Sequence, residues 1–295
     1  MTVRVSTTSR TYVPRFVEWV ACGARYVLAM PDDDLVLYRR DGDLFVPTPL
    51  TGGPWDPGAQ AGSATTALLA WAVEQVPTLA PMRTVRYTFD LLRPAPMVGL
   101  DVRTEVVREG KRIQVVEAGL YADDVCVASC RALRMRQGSA APPVAEDPSL
   151  PVIAAPPPPG VAKWGEPMVR TALPGIMGAL DVREPVASEP AWPTTTWVRL
   201  LASVVEGTST PQVAALAAIA DFVSNSANHA GPEQWMMINA DVSLDIVRVP
   251  SSDWMALEVR TSFAPDGIGH SVGRIHDESG FVATAMTMGL VDRRG

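Results

Sequence analysis

Lysine is almost missing from this 295-residue chain: only Lys111 and Lys163 occur, arginine carries the positive charge, and the net charge is −7. A chain of that sign repels phosphate backbones, which excludes broad nucleic-acid binding. Cysteine is scarce as well. Cys22, Cys126 and Cys130 form no CxxC pair and no cluster of metal-ligand spacing, so free thiols in a reducing cytoplasm are expected. The histidines, His229, His270 and His276, show neither HxH spacing nor a paired glutamate, so no metal site is expected and they read as surface or loop residues. No apolar run reaches the roughly 18 residues of a membrane span. The most apolar early segment, 13–30, is interrupted by Arg15, Glu18 and Arg25, which fits neither a span nor a secretory signal. There is no GxSxG either, and Ser63 in AGSAT lacks the strand-to-helix elbow that a serine nucleophile needs.

What is present is ordinary globular material, 47% hydrophobic, with length for about two domains. Residues 137–166 include the run Pro156-Pro157-Pro158-Pro159 and favour extended backbone, so they read as an interdomain tether. On either side the chain repeats itself. FDLLRPAP (89–96), LDVRT (100–104), a turn at Gly110 and VAS (127–129) are matched by LDIVRVP (244–250), LEVRT (257–261), a turn at Gly267 and VAT (282–284). Agreement in order and spacing points to a duplicated unit.

Each repeat opens with an Ala-rich helix, predicted at 60–75 and 211–225, and continues as alternating strands separated by Gly and Asp turns. Thr210 is positioned to cap the second helix, and Pro211 to open it. Both helices are apolar nearly all round and must be buried on most of their surface. One buried helix followed by antiparallel strands is the hot-dog plan. The expected fold class is therefore α+β, with two tandem hot-dog domains, each an antiparallel sheet wrapped around a central helix. The expected boundaries are an N-terminal extension at 1–30 (a helical extension or an overlong start), a first domain at 31–136, the linker at 137–166 and a second domain at 167–295.

GPWDPGAQAG (53–62), YTFDLLRPAP, EVVREGKRIQVVEAGLY and VASCRALRMR in the first half resemble the acyl-CoA thioesterase II family. AAIADFVSN, ADVSLDIVRVP and FVATAMTMGLV resemble its second half more loosely. The resemblance implies hydrolysis of a fatty acyl-CoA to free acid and coenzyme A, in lipid metabolism, with no cofactor beyond the coenzyme A of the substrate. It also implies a carboxylate on the second helix that activates water together with two polar strand residues. By position these are Asp221, Asn239 and Thr287. Asn239 stands where the family usually has Ser or Thr, and Thr287 where it usually has Gln.

Read from the residues alone, Asp221 is the one ionisable side chain between Pro211 and Asn225, in a helix that otherwise looks buried. Such a carboxylate must be paired, hydrogen-bonded, protonated or facing a cleft, and it is a candidate base. It could equally face solvent or cap a neighbouring loop. Asn239 and Thr287 could hold a water by hydrogen bonds, or be ordinary strand residues. For the substrate, backbone around Gln60 and Gly62 could stabilise an oxyanion, or its glycines could simply permit close packing. Arg108 and Lys111, with Arg112, could meet the phosphates of coenzyme A, or be a solvated hairpin. The expected partner is an acyl-CoA, with a homodimer joined through sheet edges. A hot dog that binds acyl-CoA or another apolar ligand without hydrolysing it is the alternative. A hydratase is disfavoured because no His-plus-acid pairing is apparent.

Overall fold

The computed structural model describes residues 15–21, 24–30, 35–56, 58–138, 161–162, 174–184, 194–226 and 234–293. Two strands, β1 (Arg15–Ala21) and β2 (Ala24–Met30), pair antiparallel and make a unit of their own, so this part of the N-terminal extension is a hairpin and not a helix. Residues 35–295 form the second unit.

That unit opens with β3 (Val36–Asp41), β4 (Leu44–Pro47) and α1 (Gly62–Gln75). The strands β5 (Met82–Leu91), β6 (Asp101–Arg108), β7 (Ile113–Ala122) and β8 (Val125–Arg136) complete the first repeat. Then follow β9 (Val161–Ala162), α2 (Ile176–Ala179), β10 (Leu180–Glu184), β11 (Thr194–Leu200) and β12 (Ser203–Val205). The second repeat has α3 (Gln212–Asp221), α4 (Val223–Ser226), β13 (Trp235–Asn239), β14 (Asp241–Ile246), β15 (Met255–Phe263), β16 (Ile268–Asp277) and β17 (Gly280–Arg293).

The duplication read from sequence is visible in the strand order. One sheet runs β6-β7-β8-β5-β14-β17-β16-β15-β11-β10-β9, so the two four-strand sets are mirror images joined at β5–β14. That seam pairs Phe89 with Val242 and Tyr87 with Leu244, and all four side chains are buried on the inner face. The alternation of buried and exposed positions along these strands is what one covered and one free sheet face require. A smaller parallel contact, β12 on β3, ties the start of the second repeat to the first.

Against the inner face lie α1 and α3, antiparallel to each other. Their buried residues are mostly apolar, and Thr66 Oγ1 links the two by donating to the Ala217 carbonyl at 3.1 Å. Both helices are buried on nearly every side, as their all-round apolar composition requires.

Four local expectations are corrected. Helix α1 starts at Gly62, because Ala59 and Gln60 are held in bridges to Pro96 and Gly52. Thr210 does not cap α3: its hydroxyl accepts from the Val204 N–H at 2.9 Å, and the helix carries no side-chain cap. The second helix is interrupted at Phe222 and resumes as α4. His276 is buried on β16, where burial, then the charges of Arg274 and Arg248, hold its pKa at about 4. His270 lies on the same strand, half-buried, and His229 falls outside the described residues. Most of the proline-rich segment also falls outside them, while Val161 and Ala162, at its end, form the edge strand β9 on β10.

Candidate active site

The last residue of α3, Asp221, meets the first turn of α1. Its Oδ2 accepts from Ser63 Oγ at 2.8 Å and its Oδ1 from Asn239 Nδ2 at 2.8 Å, and the Ser63 backbone N–H donates to the same carboxylate. Asn239 Nδ2 also reaches the Asp221 backbone carbonyl at 3.0 Å. The N-cap of α1 is Ala61, which has no capping side chain, so a carboxylate from the other repeat satisfies this helix start. Gly62 makes the approach possible: a Cβ there would stand 2.5 Å from Asp221 Oδ1.

Asn239 is aimed by a local irregularity. β13 and β14 both pair with β17, as Asn239 with Gly289 and Ser243 with Met286, and the register slips by one residue at Ala240 between them. A bulge of this kind turns the flanking side chain out of the regular alternation.

Asp221 is 6% exposed, and its donors are neutral. Burial raises its pKa above the ordinary carboxylate value, against the opposing pull of the Asn239 and Ser63 hydrogen bonds. A carboxylate accepts at about four positions, and three are taken. Asn239 Oδ1 is a buried acceptor with no partner.

Asp221, Ser63 and Asn239 line a cavity of about 430 Å³ between the repeats. Its walls come from the loop Gly53 to Asp56, the L-R-P turn around Arg93, Ile176 and Met177 of α2, and Met237 with Leu290. Met237 fills the space over Gly269 and Gly289, where added Cβ atoms would stand 2.9 and 3.0 Å from its side chain.

Of the residues expected from sequence, Asp221, Asn239, Gln60 and Gly62 come together here. Gln60 is fixed by its own bonds, accepting from Tyr38 OH at 2.7 Å and donating to the Pro96 carbonyl at 2.6 Å. The backbone expected to be free at 58–62 is largely used. Gly58 N–H donates to Asp56 Oδ1, and those of Ala59, Gln60 and Ala61 to the carbonyls of Asp56, Ala95 and Thr51, which leaves the N–H of Gly62. Thr287 is not part of the wall. It is fully buried on β17, opposite Ser271, and its hydroxyl has no partner. Arg108 and Lys111 flank the β6–β7 turn at the far edge of the sheet and do not reach the cavity either.

Two cavity residues escaped the sequence reading. In sequence Ser63 stands out only as a possible nucleophile, although a helix start without a capping residue signals a need for an outside acceptor. Arg93, in the L-R-P turn, is the cation in the cavity wall, and its Nη1 donates to the Cys126 carbonyl at 2.8 Å. Among the described residues no group of His, Cys, Asp and Glu could hold a metal ion, and no helix is long and apolar enough to cross a membrane. Cys126 and Cys130 are free thiols, and burial pushes that of Cys130 up to about 12.

Comparison with known families agrees with this architecture. Residues 51–135 match the acyl-CoA thioesterase N-terminal domain and residues 148–291 match the acyl-CoA thioesterase C-terminal domain. The chain belongs to this two-domain acyl-CoA thioesterase family. No curated protein matches it. A protein from Thermobifida fusca YX described as a candidate thioesterase II superposes with a TM-score of 0.65 at 16% identity, covering 87% of this chain and 95% of that one. A hot-dog protein from Alicyclobacillus acidocaldarius gives 0.62 at 18%, covering 87% and 95%. An acyl-CoA thioesterase II, TesB2, from Mycobacterium marinum gives 0.59 at 18%, covering 79% and 90%. At these identities the likeness is one of fold, a double hot dog.

Proposed function

We propose that this chain hydrolyses a fatty acyl-CoA to free acid and coenzyme A through a water held between Asp221 and Asn239. The observation that carries the reading is a buried carboxylate in a cavity wall, with only neutral donors on it and an unpartnered acceptor, Asn239 Oδ1, beside it. Burial makes Asp221 a stronger base than an exposed aspartate. In this mechanism the water oxygen attacks the thioester carbonyl carbon as Asp221 takes one of its protons. The oxyanion accepts from the Gly62 N–H, at the positive end of α1. Collapse breaks the C–S bond, and the proton on Asp221 passes to the departing thiolate. Both protons come from the water and Asp221 relays one of them to the thiolate, so the reading calls for no metal or other cofactor. Arg93 at the wall replaces Arg108 and Lys111 as the candidate for a phosphate of coenzyme A.

The same reading includes a homodimer, for which β6, an edge strand among the described residues, offers backbone groups, and a cytoplasmic setting, where free thiols persist.

A second reading, a hot dog that binds acyl-CoA without turnover, draws on Thr287, which is not in the cavity wall. The test is thiol release across acyl-CoAs from short to long, with calorimetric binding in parallel. Release from at least one chain length supports the hydrolase. Saturable binding with no thiol released from any of them supports the binder.

A further inference from the structure

We propose that Ser63, contributed by the first repeat, is the positioning residue that completes the water-activating carboxylate, in the role that resemblance assigns to Thr287. The inference rests on the hydrolase reading and names the group that holds its base in place. The geometry separates the two candidates. Ser63 Oγ lies 2.8 Å from Asp221 Oδ2, is 3% exposed and stands in the cavity wall. The Thr287 hydroxyl has no hydrogen-bond partner, and Thr287 is not in the cavity wall.

An ionised carboxylate has no proton to give, so in this contact the serine must donate. Its backbone N–H donates to the same carboxylate, so one residue binds Asp221 through two groups fixed at the first turn of a buried helix. The contact would not survive at another spacing. Gly62, immediately before it, has no side chain to keep the carboxylate off, and Ala61 offers no competing cap. With Asn239 on the other oxygen, the carboxylate is held from both sides, and Asp221 stands in the cavity wall. The base and one of its donors, Asn239, therefore belong to the second repeat and the other donor, Ser63, to the first, so α1 and α3 must stay in register for the site to work.

Removing the hydroxyl should weaken Asp221 as an anion and disturb its aim without touching substrate. For Ser63→Ala the expected result is a fall in kcat of about tenfold or more, with KM changed less than about twofold. The acid limb of the kcat profile should move up by about one pH unit, the size expected from one lost charge-assisted hydrogen bond. Infrared titration of the Asp221 carboxyl, assigned by difference against Asp221→Asn, should shift in the same direction. This readout needs no turnover. Thr287→Val should leave both the profile and the titration where they are.

An unmoved limb and an unmoved titration in Ser63→Ala would overturn the inference while leaving the hydrolase reading intact. So would an acyl group found on Ser63 by mass spectrometry, which would make it the nucleophile. A moved titration in a protein that hydrolyses no acyl-CoA would uphold Ser63 as the carboxylate's partner and sink the hydrolase reading.

Discussion

Two buried aspartates of the second repeat are held in opposite ways. Asp277, 1% exposed, accepts from both ends of the Arg248 guanidinium, from the N–H and hydroxyl of Ser251 and from the Ser279 N–H. Burial pushes its carboxyl up, but Arg248 and these donors outweigh it and hold it well below the usual range. Asp221, 6% exposed, has Ser63 and Asn239, both neutral, and burial wins. The first is a saturated structural anchor at a β-turn. The second keeps an acceptor position free at a cavity wall. Burial alone therefore does not mark a functional carboxylate. The charge of its partners and what remains unsatisfied do.

The α1–α3 pair repeats the lesson. Where Asp221 meets the start of α1 there is a cavity. Towards the opposite end, Trp71 donates its indole N–H to Thr208 Oγ1 at 3.2 Å and packs edge-on against Phe45, and neither residue lines the cavity.

Several changes would break or sharpen this contrast. The largest effect is expected from Gly62→Ala, whose new Cβ must displace the Asp221 carboxylate. Hydrolysis should fall about 10²-fold, the scale of an ångström's misplacement, and thermal stability should fall too, because the buried carboxylate is pushed off its Ser63 and Asn239 donors. A full-rate Gly62→Ala enzyme would show that the approach of Asp221 to α1 is not needed. Arg248→Ala should cost about 2 kcal/mol at neutral pH, read from denaturant unfolding, with kcat and KM of the folded fraction unchanged. Because the folded Asp277 carboxyl is depressed, its stabilisation is present above the ordinary carboxylate range and is lost as pH falls through the folded value. The gap between wild type and Arg248→Ala should therefore close in acid. Asn239→Ala should lower kcat about tenfold with little change in KM. A large rise in KM alone would move Asn239 from holding water to holding substrate.

The smallest effect is one of sign. Asp221 is raised on folding, so its own contribution to stability is fully present below the ordinary carboxylate value near 4 and is lost as pH rises through the folded value. Unfolding curves of Asp221→Asn should lack that decline. Parallel pH curves for the two proteins would mean that Asp221 does not titrate as a buried group.

Much of the architecture was legible because duplication writes the same punctuation twice. LDVRT and LEVRT fall on β6 and β15, and VAS and VAT on β8 and β17, and the turns between them agree. Asp221 was legible as a lone charge in an apolar helix. Ser63 was not, because its role depends on a residue 158 positions away across the repeat interface. Thr287 misled in the other direction. Position within a family motif predicts which residue stands there, and here the Thr287 hydroxyl is buried outside the cavity wall. The basic turn at Arg108 and Lys111 failed for want of distance information, since a hairpin in sequence does not say which end of the sheet it occupies. Thr210 found a nearer N–H, that of Val204, than the helix start it was expected to cap.

The central claim is that Asp221 takes the proton from the attacking water. The most direct test compares thiol release from one accepted acyl-CoA by wild type and Asp221→Asn, with binding of the same acyl-CoA measured by calorimetry. The account predicts a fall in kcat of about 10³-fold at nearly unchanged affinity. Turnover by Asp221→Asn within about tenfold of wild type would contradict it.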